Sequence, residues 1–278
     1  MSNTVTCFFA YPGKPPALAE TIEAAIDTIN RYGRDEVEVK GWKALNVTGK
    51  FIVDEICSAI RAADLFICDL TYPNPNVLFE LGYAVICKKR IWITLDDSHD
   101  AAKTNYEKLK LLTTMGYAEY HHAQQLVTRF FHEAPHKDLA STVYDNVIKS
   151  IALSSDTAPG LLYLKSEVET EASVRLTRRL SDGRVPVVTD DPHEINSQPL
   201  AWYARNVYLS CGVVVHLLDE ERDSKLLQNA KYSFVAGMAF GAGKPLLMLA
   251  QSPYHPPLDY RDILYVHDTA SACVPLCL

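Results

Sequence analysis

The sequence predicts an α/β chain: two flavodoxin- or Rossmann-like domains in tandem, each built on a doubly wound parallel sheet. Three observations carry this prediction. Short apolar runs alternate with segments of helical periodicity along most of the chain. Two of those runs, LFICDL at 65–70 and GVVVHLL at 212–218, are apolar on both faces, as strands covered on both sides of a parallel sheet are. Finally, FELGYAVICKKRIWIT at 79–94 aligns without a gap on FVAGMAFGAGKPLLML at 234–249, keeping Phe, Gly, Ala and Lys in register, which points to an internal duplication.

Taken in order, residues 5–11 (VTCFFAY) form a strand that Pro12 and Gly13 end, and 17–32 carry apolar residues at helical spacing. A second strand is expected over 37–45. A helix follows over 49–63, where Ile52, Ile56, Ala59 and Ile60 share one face. After LFICDL come a loop, a helix from about residue 76 to 88 and the strand RIWITL at 90–95. Residues 117–121 read as a fifth strand and 139–152 as a closing helix. LSSDTAPG at 153–160 has the small, polar composition of a connection, so the domains are placed at 1–153 and 160–278. Beyond it the order repeats: LLYLKSEV as strand, 170–180 as helix, VPVVT as strand, 201–210 as helix, then GVVVHLL. The final SACVPLCL resembles the middle of an element, which suggests that further domains follow.

With 48% apolar and 22% charged residues the chain can bury a core. A formal charge of -7 with no basic run argues against a nucleic-acid track or an anionic membrane surface, but leaves room for a local pocket that takes a small polyanion. The seven cysteines form no metal-type cluster and read as buried thiols of a reducing, cytoplasmic compartment. No apolar run approaches the length of a membrane helix. His121, His122 and His132 show no partner at metal spacing, and no metal or resident cofactor is expected. GxGxxG, P-loop, GxSxG and HExxH signatures are absent.

The segment that asks for a chemical explanation is DLTYPNPNVLFELGYA, residues 69–84. In an open parallel sheet ligands sit beyond the carboxyl ends of the strands, and this loop leaves such an end. Asn74 or Asn76 can cap the following helix, whose first N–H groups attract phosphate or sugar oxygens. Glu80 lies about one turn in. It either reaches the crevice or simply complements the helix dipole; its apolar setting, VLFELGYA, favours the crevice. The duplication sharpens the point. Gly82 and Gly237 recur in both halves and are expected to allow close approach of helix to strand, whereas Glu80 falls opposite Val235, so the carboxylate is not a packing requirement. Tyr11, after the first strand, can stack on a base or sugar, and Lys14 can pair with phosphate; both read equally well as ordinary loop residues. Asp69 can orient a ribose hydroxyl or cap its own turn. Asp54 and Glu55 fit a solvated helix face better than the crevice, and Lys88, Lys89 and Arg90 fit a basic helix end.

Over residues 63–94, ADLFICDLTYPNPNVLFELGYAVICKKRIWIT resembles the nucleoside 2-deoxyribosyltransferase and TIR-like superfamily, and its NPNV-ELG form is similar to the bacterial TIR-like branch of antiviral defence proteins. The resemblance implies that Glu80 attacks or stabilises the anomeric carbon of a ribosyl group as an N-glycosidic bond breaks, with NAD or a related nucleotide as substrate. With the readings above, Tyr11, Lys14, Asp69, Asn74 and Asn76 are the candidate substrate-binding residues, and because proteins resembling this chain often need assembly to complete the site, a homo-oligomer is expected as the working state. The second polar group of the transferases is matched only by Asn74, an amide, which favours nicotinamide release over deoxyribosyl transfer. Two other classes stay open: a nucleotide-sensing module that relays a signal to a partner or a further domain, and an assembly scaffold.

Overall fold

The computed structural model describes residues 4–112, 115–137, 142–149, 160–166, 168–183, 185–190, 198–219, 221 and 225–273. In the first half, β1 (Val5–Ala10), β2 (Val37–Gly41), β3 (Leu65–Asp69), β4 (Arg90–Asp96) and β5 (Ala118–Tyr120) form one sheet in the order β2-β1-β3-β4-β5. In the second, β6 (Leu161–Leu164), β7 (Val187–Asp190), β8 (Gly212–Leu217), β9 (Leu246–Gln251) and β10 (Leu264–His267) form another, read from the equivalent edge as β7-β6-β8-β9-β10. All eight strand pairings are parallel. Both halves therefore have the flavodoxin-like order, in which the chain reverses direction between the first and third strands.

The helices are α1 (Pro16–Tyr32), α2 (Ile52–Ala62), α3 (Pro75–Ile86), α4 (Ala102–Leu109) and α5 (Ala123–Glu133), then α6 (Glu171–Ser181), α7 (Leu200–Leu209), α8 (Lys225–Gly241) and the short α9 (Ala270–Cys273). Strand alternation sorts the core. Cys7, Phe9, Leu65 and Ile67 point to one side of the first sheet, where α1 and α5 cover them with Ile22, Ile29 and Phe130. Phe8, Phe66 and Cys68 point to the other, and their cluster runs on through α3 and α8 to Leu162, Val213 and Val215 of the second sheet. A small third cluster, including Tyr163 and Leu176, lies beneath α6 and α9. The order of layers is thus helix, sheet, a shared helical layer, sheet, helix, and the two sheets are joined by one continuous core.

Several elements differ from the sequence expectation. The second strand stops at Gly41, and Trp42–Ala44 turn into a 3-10 helix. The fifth is only Ala118–Tyr120. Helices α4 and α5, strand β10 and α9 were not expected. The closing helix is described only in part, with a π-helical turn at Tyr144–Ile148; the connection at 153–159 lies outside the described residues. Cys7, Cys57, Cys68 and Cys273 are buried, but Cys211, just before β8, is exposed. Among the described residues, no helix is long and apolar enough to cross a membrane.

The duplicated glycines meet each other's helix, not a strand. A Cβ on Gly82 would lie 1.9 Å from the Phe234 carbonyl oxygen, and one on Gly237 would lie 1.9 Å from that of Phe79. The contact is reciprocal, as at the axis of a symmetric dimer, and only a hydrogen side chain lets the α3 and α8 backbones come so near. This explains why every residue of α3 from Val77 to Ile86 is buried. The sheet covers one side of the helix, and the second half covers the side that a lone domain would show to water.

Candidate functional site

At the reversal point of the first sheet, the loops after β1 and β3 open a cleft of about 150 Å³ lined by Tyr11, Pro12, Gly13, Trp42, Asn74, Asn76, Val77 and Glu80. Each side chain arrives for a local reason. Pro12 and Gly13 end β1 immediately after Tyr11. Asn74 is the N-cap of α3: its Oδ1 accepts from the backbone N–H groups of Asn76 at 2.9 Å and Val77 at 3.4 Å, and Pro75 occupies the first helical position, where no N–H is needed. Asn76, Val77 and Glu80 then share a face at helical spacing.

Glu80 is only 4% exposed, although it borders the cleft. Behind it, burial first and the Glu80 carboxyl second push the Cys57 thiol up to about 12. Tyr11 is buried too; its hydroxyl donates to Glu23 Oε1 at 3.2 Å, and Glu23 is paired with Lys43 at 2.6 Å. Burial first, and Glu23 second, hold the Tyr11 phenol in its neutral form. Its ring stands 6.0 Å from that of Trp42. Two buried polar atoms of cleft-lining residues, Trp42 Nε1 and Asn76 Oδ1, have no hydrogen-bond partner among the described residues.

Tyr11, Asn74, Asn76 and Glu80 are therefore brought together, and two other expected residues are not. Asp69, the last residue of β3, is fully buried. It accepts from Thr71 N at 3.1 Å, Thr94 Oγ1 at 3.0 Å and the Tyr120 hydroxyl at 2.8 Å; with both oxygens committed to the fold, it does not line the cleft. Burial raises its carboxyl to about 6 against the pull of those hydrogen bonds. Lys14 is exposed in the loop beyond Gly13 and outside the lining. Trp42 is the lining residue that sequence reading missed. Its signal is its position, one residue past the carboxyl end of β2.

The same sheet edge also joins groups of metal-ligating type. Asp96, Asp97 and His121 place ligand atoms within 4.8 Å of one another; His121 is exposed, as a surface histidine is expected to be. The pairing of Asp96 with Tyr120 makes this contact, and no local spacing could reveal it. Fold partners account for the group: Asp96 Oδ1 accepts from Ser98 N and Oγ at 3.0 and 2.6 Å, and His121 Nδ1 lies 2.6 Å from Asp97 Oδ1.

Strand register lets the second half be read against the first. Trp42 corresponds to Asp190, Tyr11 to Lys165, Asp69 to His216 and Tyr120 to His267; continuing the helix alignment backwards matches Asn76 with Lys231 and Val77 with Tyr232. In the second half several of these positions are bonded to one another or to neighbours. Lys231 Nζ lies 3.2 Å from Asp190 Oδ2, the Tyr203 hydroxyl donates to the same oxygen at 2.5 Å, and the Tyr232 hydroxyl donates to the Lys165 carbonyl at 2.7 Å. Glu80 has only Val235 as its counterpart. Fold and site together define a class: a tandem doubly wound α/β protein with an acid-bearing cleft in its first half and self-bonded side chains at the corresponding place in its second. No family model, curated protein or solved structure matches the chain.

Proposed function

We propose that the chain breaks the N-glycosidic bond of NAD or a related nucleotide, with Glu80 facing the anomeric carbon, as an effector of the bacterial antiviral type that its NPNV-ELG segment resembles. One observation carries this reading: a buried carboxylate shares a cleft at the sheet's reversal point with an aromatic ring and the amide-capped start of a helix. As the bond breaks, the ribosyl carbon gains positive charge, and a carboxylate beside it lowers the barrier by shielding that charge or by capturing the carbon covalently. The surrounding low dielectric strengthens the effect.

The cleft is smaller than the roughly 300 Å³ at which ligand pockets usually begin. A sugar-sized group fits it, and the remainder of a dinucleotide would extend over the exposed loop that carries Lys14. The test is incubation of purified chain with NAD, resting and oligomerised, with chromatography for released nicotinamide. Wild type is expected to release it, and Glu80→Gln to lose at least about a hundredfold in kcat. Equal turnover by Glu80→Gln, or none by assembled wild type, rejects the reading. Calorimetric nucleotide binding that survives Glu80→Gln while no product forms would establish the sensing module in its place.

A further inference from the structure

We propose that Gly237, in the half of the chain that lacks the carboxylate, is a positioning residue for Glu80. This rests on the role given to Glu80 above. At roughly 3.6 residues per turn, Asn76, Val77 and Glu80 form the cleft face of α3, while Phe79, Gly82, Tyr83 and Ile86 form a second face about a third of a turn round the helix. The second half grips that second face. The Phe79 carbonyl rests on Gly237, its ring packs 5.8 Å from Phe240 and 5.4 Å from Tyr260, and Tyr83 and Ile86 flank Gly241.

Phe79 and Glu80 are consecutive in one rigid helical turn, so whatever sets the height of the Phe79 carbonyl also sets where the Glu80 side chain begins. A methyl group on Gly237 would stand 1.9 Å from that oxygen, and side-chain carbons essentially never approach closer than 3.0 Å. The helices must part by about an ångström, and whatever share of that α3 takes up displaces the start of the Glu80 side chain. A shift of that size at a reacting group costs about a hundredfold in rate. The same methyl on Gly241 would first meet the side chains of Tyr83 and Ile86, at 3.2 Å. Gly237 is thus the point at which the second half fixes the geometry of the first.

The test compares Gly237→Ala with Leu176→Ala in the full chain. Leu176 lies in the small core beneath α6, so its truncation loosens the second half without touching α3. Two measurements are made on each: steady-state kinetics, giving kcat and KM for NAD, and the carboxyl ¹³C titration of Glu80, assigned by its absence from Glu80→Gln. Gly237→Ala is expected to lose about tenfold to a hundredfold, more in kcat than in KM, and to shift the titration midpoint; Leu176→Ala should move neither beyond its loss of folded protein. A folded Gly237→Ala with kcat and titration like wild type overturns the proposal, as does an equal effect in Leu176→Ala. If wild type makes no product, the glycosidase reading fails separately, and the titration alone decides the positioning role. Should Gly237→Ala fail to fold, Phe240→Leu removes the ring beside Phe79 without adding an atom at the crossing. An unchanged titration there is equally decisive against the proposal.

Discussion

Asp69 and His216 occupy the same sheet position in the two halves, each buried against a partner on the edge strand, Tyr120 in one case and His267 in the other. Their proton linkages have opposite signs. The folded Asp69 carboxyl is raised to about 6 by burial, so its contribution to stability is complete below its unfolded value near 4 and is lost as pH rises through 6. The difference between wild type and Asp69→Asn in urea unfolding should therefore fall by about 3 kcal/mol from pH 4 to pH 6 and then stay flat; no change over that interval would refute the assignment. His216 is lowered to about 3 by burial and by His267, so its contribution is complete above the unfolded histidine value and is lost as pH falls below it. His216→Gln should resist acid between pH 6 and pH 3 better than wild type relative to its own neutral-pH stability. Trp42→Phe removes a buried N–H without a partner among the described residues. It should leave the free protein as stable as before and weaken the proposed nucleotide binding by about 1 kcal/mol, measured by calorimetry.

At the scale of elements, α3 joins the cleft to the core. Its cap is the one polar feature at its start that the fold itself requires, and Asn74→Ala should cost about 1 kcal/mol of stability in urea unfolding; a larger loss of nucleotide binding than of stability would show that the amide also meets the ligand. This helix was legible in the sequence because Asn-Pro-Asn announces its start and Phe79, Gly82 and Ala84 recur in the other half. Asn74, Asn76 and Glu80 stood out there as polar residues without a packing reason. What remained hidden was long-range. Gly82 shows in sequence that something comes close, but what it meets, the Phe234 carbonyl, lies 152 residues away on α8 (234 − 82 = 152). Asp69 reads in sequence both as a ribose ligand and as the cap of its own turn; Thr71 N takes the cap, and the other oxygen is filled by Thr94 of β4 and Tyr120 of β5, which no local pattern announces. Helix α4 was missed because AKTNYEKL buries only Ala102, Tyr106 and Leu109, too weak a stripe to be read alone. Trp42 sits where a continuing strand and a 3-10 turn have the same apolar spelling.

For the whole molecule, the shared core means that neither half is finished alone. Expressed by itself, residues 1–153 would expose the α3 face of Phe79, Tyr83 and Ile86, and it should aggregate or self-associate; co-expression with 160–278 should recover a soluble one-to-one complex. A monodisperse 1–153 fragment with the melting temperature of the full chain would contradict this. The reciprocal contact of Gly82 and Gly237 has another consequence. In a homodimer every substitution appears twice, so a carboxylate lost from one cleft is lost from both, and a cleft filled by a lysine is filled on both sides. Two halves on one chain escape that rule. Covalent linkage lets symmetry survive where the helices cross and lapse a turn away, where one half carries Glu80 and the other can be rewritten without limit, provided that the axis still closes.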